Sequence, residues 1–202
     1  MANTVNPTKA NLMAAKKSLE LAQNGYELLD RKRNILIRET MAFAQAAKDI
    51  QGEIDRTFRE AYEALQLADV TLGNCEELAQ SVPVEQGLLL DSRSVMGVEI
   101  PRAALESSAP CNSYGFYSSN SCLDDAYFKF RRVKELSTRL AQIESSVYRL
   151  ASAIHKTQKR ANALKNIVIP RFRSQIGMIS ETLEKKELEE HTRLKIIKGQ
   201  KQ

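Results

Sequence analysis

The side chains able to do chemistry are three cysteines (Cys75, Cys111, Cys122), two histidines (His155, His191) and a dense set of cations late in the chain. A nucleophilic cysteine needs a base within hydrogen-bond reach. In an extended helical fold these cysteines and histidines lie far apart, so no catalytic residue is expected. An odd number of cysteines at these spacings suits no zinc site either, and neither a cofactor nor a metal is expected.

The cations are more informative. Between Ser145 and Ser180 stand Arg149, Lys156, Lys159, Arg160, Lys165, Arg171 and Arg173 without a single acid. Such a run is either a solvated face or a surface that meets an acidic partner. Lys156, Lys159, Arg160, Lys165, Arg171 and Arg173 are the candidate contact residues. Overall the charge is +5, unevenly spread: 10 basic against 10 acidic residues up to Leu72, 2 against 6 from Gly73 to Cys122, and 18 against 9 thereafter.

Two long elements must carry these residues. Apolar or small residues recur at Leu12, Ala15, Leu19, Ala22, Tyr26, Leu29, Leu36, Phe43, Ala47, Ile50, Ile54, Ala61, Ala64 and Ala68. The steps alternate three and four, with Arg33, Thr40 and Thr57 filling the gaps, which is the a/d seam of a coiled coil. Asn6-Pro7 reads as N-cap and first helical residue, and Leu72-Gly73-Asn74 as the end. At about 1.5 Å per residue this helix is roughly 100 Å long.

The same alternation returns at Val133, Leu136, Leu140, Ile143, Val147, Leu150, Ile154, Thr157, Ala161, Leu164 and Val168, then shifts to Phe172, Ile176, Ile179 and Leu183. Successive steps of four form a stutter. Pro170 lies inside it, removes one backbone donor and crowds the carbonyl of Asn166, so a bend or straightened zone is expected over 166–176. Pro170 is the candidate shaping residue.

The expected fold is all-α dominated: a long antiparallel two-helix coiled coil with a short central β-hairpin and loop region. The N-terminal helix spans 6–73, the C-terminal helix 123–198, and the irregular centre 74–122. Facing residue numbers should sum to roughly 200. In that arrangement Glu27, Asp30, Glu39, Asp49, Glu53 and Asp55 oppose the basic run and neutralise part of it. Within the centre, Leu88-Leu89-Leu90 and Val95 to Ile100 read as strands joined through Asp91-Ser92-Arg93-Ser94, a hairpin over about 87–101 closed by Pro101. So small a hairpin is either mobile or docked on a partner. Ser107 to Ser121 has loop composition, and Asp124-Asp125 suit the first turn of the second helix.

Composition agrees. Trp is absent, with 8 Gly and 5 Pro in 202 residues, a mixture that favours long helices. A helix pair buries only a narrow seam and often needs partners for stability. Ala2 to Asn11 is polar and no apolar segment follows, so neither a signal peptide nor a membrane span is expected; the expectation is a cytoplasmic, reduced protein.

Several local patterns then coincide with one family. Asn6-Pro7-Thr8-Lys9 followed by Leu12, Lys16, Leu19, Ala22, Leu28-Leu29 and Lys32-Arg33; Met96-Gly97-Val98-x-Ile100-Pro101; Arg160-x-Asn162-Ala163-Leu164 with Val168-Ile169-Pro170-Arg171; and Glu189-Glu190-x-x-Arg193-Leu194-Lys195-x-Ile197-Lys198 follow in order. Over nearly its whole length the chain resembles the D subunit of V/A-type ATPases, the central shaft of that rotary machine. One departure is Lys165, where the family pattern has an acid.

The resemblance implies a non-catalytic rotor, one copy per complex, peripheral to the membrane on its cytoplasmic side. Its helical ends would enter the ring of catalytic A and B subunits. Its middle would hold the small F subunit of the stalk, and its central segment would seat on the funnel-shaped C/d subunit above the membrane ring. Torque carried along it would couple ATP turnover to proton or sodium transport. The alternative is a basic coiled-coil module of the membrane-sculpting BAR type, or a scaffold. The acidic centre argues against the former. Nucleic-acid binding is disfavoured, because no aromatic residues interleave with the basic run.

Overall fold

The structure, a computed structural model, describes residues 6–84, 86–106, 114–115 and 119–200. Cys111 and most of the Ser107–Ser121 loop lie outside them. The elements run α1 (Lys9–Leu72), α2 (Glu76–Gln80), β1 (Leu88–Val95), β2 (Val98–Leu105), α3 (Ser121–Ala163), a π-helical turn (Leu164–Val168) and α4 (Ile169–Gln200). The chain divides into two compact units, one of residues 1–34 with 155–202 and the other of residues 35–154. Among the described residues no helix is long and apolar enough to cross a membrane.

In each unit α1 is paired antiparallel, as the crossing contacts show. In the first unit Lys9 meets Glu187 and Tyr26 meets Lys165. In the second Glu53 meets Arg132 and Ala68 clusters with Leu123. None of the expected a/d positions is exposed, from Leu12 through Ala68 and from Val133 through Leu183. Leu36, Leu136 and Leu150 are almost fully buried; burial of a leucine contributes about 1.5–3 kcal/mol. The facing numbers sum to somewhat less than the expected 200, and the second helix begins at Ser121, before the expected residue 123.

Helix ends follow local chemistry. Thr8, not Asn6, caps α1: its Oγ1 accepts from the amide of Asn11 at 3.2 Å, and its carbonyl accepts from Leu12. The Asn6 carbonyl is instead taken by Asn11 Nδ2 at 2.7 Å. A hydroxyl reaching the third helical amide is the usual cap, and here it moves the start past Pro7. At the other end Gly73 adopts φ +82°, the left-handed stop a glycine permits.

Polar seam residues are satisfied within their own helices. Thr40 donates to the Leu36 carbonyl, Thr57 to Glu53, and the fully buried Ser146 to Gln142. Arg33 is the exception, bonding across the pair to Gln158 Oε1 at 2.8 Å.

Pro170 has a defined consequence. The turn before it is π-helical, with the Ile169 amide donating to the Leu164 carbonyl five residues back. A π-turn accommodates one extra residue. That residue is what the run of four-residue steps adds to the heptad, so Leu164, Val168 and Ile169 before Pro170, and Phe172, Ile176 and Ile179 after it, all remain on the sheltered side. Widening the turn also relieves the crowding between the proline ring and the Asn166 carbonyl.

The hairpin differs from expectation in two respects. Its turn is Met96-Gly97, not Asp91–Ser94, and both turn residues have positive φ, 52° and 74°. Type I′ turns require this; the cost of about 1 kcal/mol at a non-glycine such as Met96 hides the turn from a reading by composition. β2 also continues past Pro101 to Leu105. In a two-stranded sheet each strand has a free edge, and there a missing N–H is harmless.

Candidate partner-contact surface

The unit formed by residues 1–34 and 155–202 carries the six candidate cations. Lys156, Lys159 and Arg160 sit on α3, Lys165 in the π-turn, and Arg171 and Arg173 on α4; all are exposed. Thr157 and Ala161 turn to the opposite side and are buried. The helical period therefore separates one seam-facing stripe from a cationic one.

Among the described residues none of the six forms an ion pair. Of the six acids expected to neutralise them, three pair elsewhere: Glu27 faces Arg31, Asp30 holds Arg33 at 2.7 Å, and Glu53 holds Arg132 at 3.1 Å. The first two are pairs one turn apart on the same helix, and the third crosses to α3 at a cation outside the run. Lys165 alone gains an internal partner, its Nζ lying 5.8 Å from the centroid of the Tyr26 ring. A cation–π contact at an exposed site contributes about 0.5–1 kcal/mol, and it accounts for a cation at this position without an acid opposite.

The remaining reactive groups are dispersed. His155 and His191 are exposed on helices. Among the described residues no three His, Cys, Asp or Glu side chains are grouped to hold a metal ion. Cys75 is buried, and burial pushes its thiol upward, reinforced by a hydrogen bond with Asp69. A protonated buried thiol is a poor nucleophile.

The unit of residues 35–154 presents a different surface. The hairpin is docked on the helices of its own unit. Ile100, at 3% exposure, joins Leu36 and Leu150, with Val95 and Val98 packed alongside. The Ala103 amide donates to Gln142 Oε1 at 3.1 Å, and Arg149 Nη1 donates to the Glu99 carbonyl at 3.3 Å. β1 leaves Leu88, Leu89 and Leu90 exposed, and between the hairpin and α3 an open, mainly apolar cleft of about 380 Å³ is lined by Leu88, Leu90, Pro101 and Ala141. A second, of about 330 Å³, lies among Leu65, Leu78, Val82, Tyr114 and Phe130.

Tyr114 closes this end of the unit. Its hydroxyl donates to Asp124 at 2.6 Å, and burial together with that carboxylate raises its pKa to about 12. Sequence reasoning missed this latch, for which loop composition gives no signal. It also passed over Leu188, Leu194, Ile196 and Ile197, all at least half exposed near the end of α4. Their spacing, which follows no single helical face, is readable in the sequence.

Antiparallel helices with a docked hairpin define a coiled-coil protein. The comparisons give it a family. The sequence profile of the ATP synthase D subunit matches residues 11–199. The V-type ATP synthase D subunit of Thermotoga neapolitana is 45% identical over 197 residues, covering 96% of this chain and 97% of that protein. The A-type ATP synthase D subunit of Pyrococcus furiosus is 37% identical over 200 residues, covering 96% and 94%. The corresponding protein of Methanobrevibacter smithii is 34% identical, covering 96% and 87%. The chain belongs to the ATP synthase D-subunit family, and is one component of a rotary ATPase of the V/A type.

Proposed function

We propose that this chain is the non-catalytic central rotor of its ATPase, carrying torque between the ion-driven membrane ring and the ring that makes or hydrolyses ATP. Coupling of ATP turnover to proton or sodium transport then passes through it mechanically. One copy serves each complex on the cytoplasmic side. The partners are the A/B catalytic ring, the small F subunit of the stalk and the funnel-shaped C/d subunit.

The observation that carries this reading is the seam that α1 forms with the returning helix in each unit, bounded by exposed charges. Interlocked side chains resist relative sliding of the helices. A charged and solvated rim forms contacts of only about 0–1 kcal/mol each, which break readily between steps. The end of α4 adds support. Leu188, Leu194, Ile196 and Ile197 are 68%, 61%, 56% and 51% exposed and point to different sides of the helix. Apolar side chains exposed on several sides of an otherwise charged helix suit an end that neighbours surround, as a shaft end is inside a ring.

Lys156, Lys159, Arg160, Lys165, Arg171 and Arg173 are the residues we assign to the acidic inner surface of that ring, and Pro170 with its π-turn is assigned to shaping the shaft there. The test is the triple variant Lys156→Glu, Lys159→Glu, Arg160→Glu, reconstituted into the whole complex. Coupled ATP synthesis falls several-fold while the variant still co-purifies in single copy. Unchanged coupling rejects the assignment; more than one copy per catalytic ring rejects the rotor.

A further inference from the structure

The seam of the unit comprising residues 1–34 and 155–202 is unusual in how little it specifies. Ala15, Ala22 and Ala161 occupy core positions, and small side chains make one heptad look much like the next. Arg33 is the charged residue in this stripe. Its side chain is 26% exposed and sits in a closed polar group: Nη1 donates to Gln158 Oε1 at 2.8 Å, Nη2 pairs with Asp30 Oδ1 at 2.7 Å and donates to Asn34 Oδ1 at 3.2 Å. Asn34 Nδ2 reaches Asp30 Oδ2 at 3.4 Å, and Gln158 Nε2 donates to Asn162 Oδ1 at 2.9 Å. The group thus spans both helices. Lys9–Glu187, which also crosses between them, is 77% and 59% exposed and imposes little.

The group is imperfect in a telling way. Arg33 Nε is buried with no hydrogen-bond partner among the described residues. A buried donor without an acceptor is a standing cost, and an apolar residue of similar volume would avoid it. Stability alone would not select an arginine at this position.

We propose that the Arg33–Asp30–Gln158 group is a register pin, which fixes how α1 is aligned against α3 and α4 and excludes alignments shifted by a heptad. A shift of seven residues, about 10 Å along the helix, would bring Leu164 and Lys165 opposite Arg33 in place of Thr157 and Gln158. The guanidinium would then lose its amide acceptor and face a leucine. For a shaft under load, the pin makes sliding of one helix past the other costly at one defined point, whatever partners surround it.

The experiment uses the full-length chain with its native cysteines replaced and nitroxide labels at Asn24 and Glu189, both exposed and well separated along the helix axis, read by pulsed electron resonance. The parent gives one narrow distance. Arg33→Leu is expected to give a second population displaced by about 10 Å, with a thermal midpoint equal to or above the parent's. Arg33→Gln, which keeps a donor for Gln158, is expected to restore a single distance. An Arg33→Leu chain that keeps the single narrow distance overturns the pin. So does one that fails to fold, since Arg33 would then be supplying stability and not alignment.

Discussion

The two units of the chain share one construction, α1 packed antiparallel on a returning helix, yet they bury different things. The unit of residues 35–154 holds Leu36, Leu136 and Leu150 at 0–1% exposure, adds Ile54, Val133 and Ile143, and caps this core with Ile100 from the hairpin. The unit of residues 1–34 and 155–202 buries little more than Ala22, Thr157, Ala161, Ile169 and Ile179. It leaves its six candidate cations without ion pairs among the described residues, and the last turns of α4 bare. The first is a folding unit with its own core. The second has a seam just wide enough to hold two helices together, and most of its surface is left for contacts outside the chain. Within one polypeptide, apolar volume is concentrated in the unit of residues 35–154 and sparse in the other, the distribution that the proposed insertion into a surrounding ring requires.

That contrast is tested first where it predicts most. Leu150→Ala is expected to destabilise the isolated chain by about 3 kcal/mol. Ile179→Ala in the thinner seam should cost less, about 1–2 kcal/mol, because that site borders solvent and collapses more easily. Chemical denaturation of the two variants side by side would show it, and equal losses would erase the distinction between the units.

Ile100→Ala is expected to weaken hairpin docking by about 2 kcal/mol. Hydrogen exchange should then accelerate across β1 and β2 while the α1 and α3 amides around Leu36 and Leu150 stay protected. Protection lost equally everywhere would mean the hairpin is integral to the core and not laid upon it.

A pH effect belongs to the same unit. Tyr114 is neutral when folded up to about pH 12, against about 10 for an unperturbed tyrosine. Between those values the unfolded chain releases a proton that the folded chain keeps, so stability falls as pH rises through this window. Below about pH 10 the contribution is fully present. Allowing for partial solvent screening, the loss by about pH 12 is about 1–2 kcal/mol, and Tyr114→Phe should abolish that component of the slope. A variant with the parent's pH profile would remove the latch from the account.

The smallest effect is expected in the thin unit. Lys9 is held protonated above its ordinary range by its hydrogen bond to Glu187, but both groups are solvated. Lys9→Ala should leave the thermal midpoint unchanged, and a clear drop would show this seam to depend on its rim.

How much of this is legible in the sequence differs along the chain in the same way. The a/d stripes could be read residue by residue because burial imposes a repeat of about 3.5 residues on apolar side chains. The Gly73 stop was equally plain, since only glycine enters that conformation freely. The Met96-Gly97 turn was not, because a methionine at positive φ departs from turn preferences and is tolerated only when its surroundings compel it. Nor was hairpin docking: one isoleucine, Ile100, decides it, and a single buried residue has no period. Pro170 signalled a disturbance without its form; the π-turn follows from the proline and the stutter together. The six cations were legible as a run. That they remain unpaired was not, because it depends on Glu27 and Asp30 facing Arg31 and Arg33 on their own helix.

The central claim is that the chain turns, and one observation addresses it directly. With the catalytic ring of the intact complex fixed to a surface and a bead attached through Arg93→Cys, at an exposed position of β1, ATP should drive stepwise rotation in one direction that ceases when ATP is removed. A bead that stays still on a complex actively hydrolysing ATP would contradict the account.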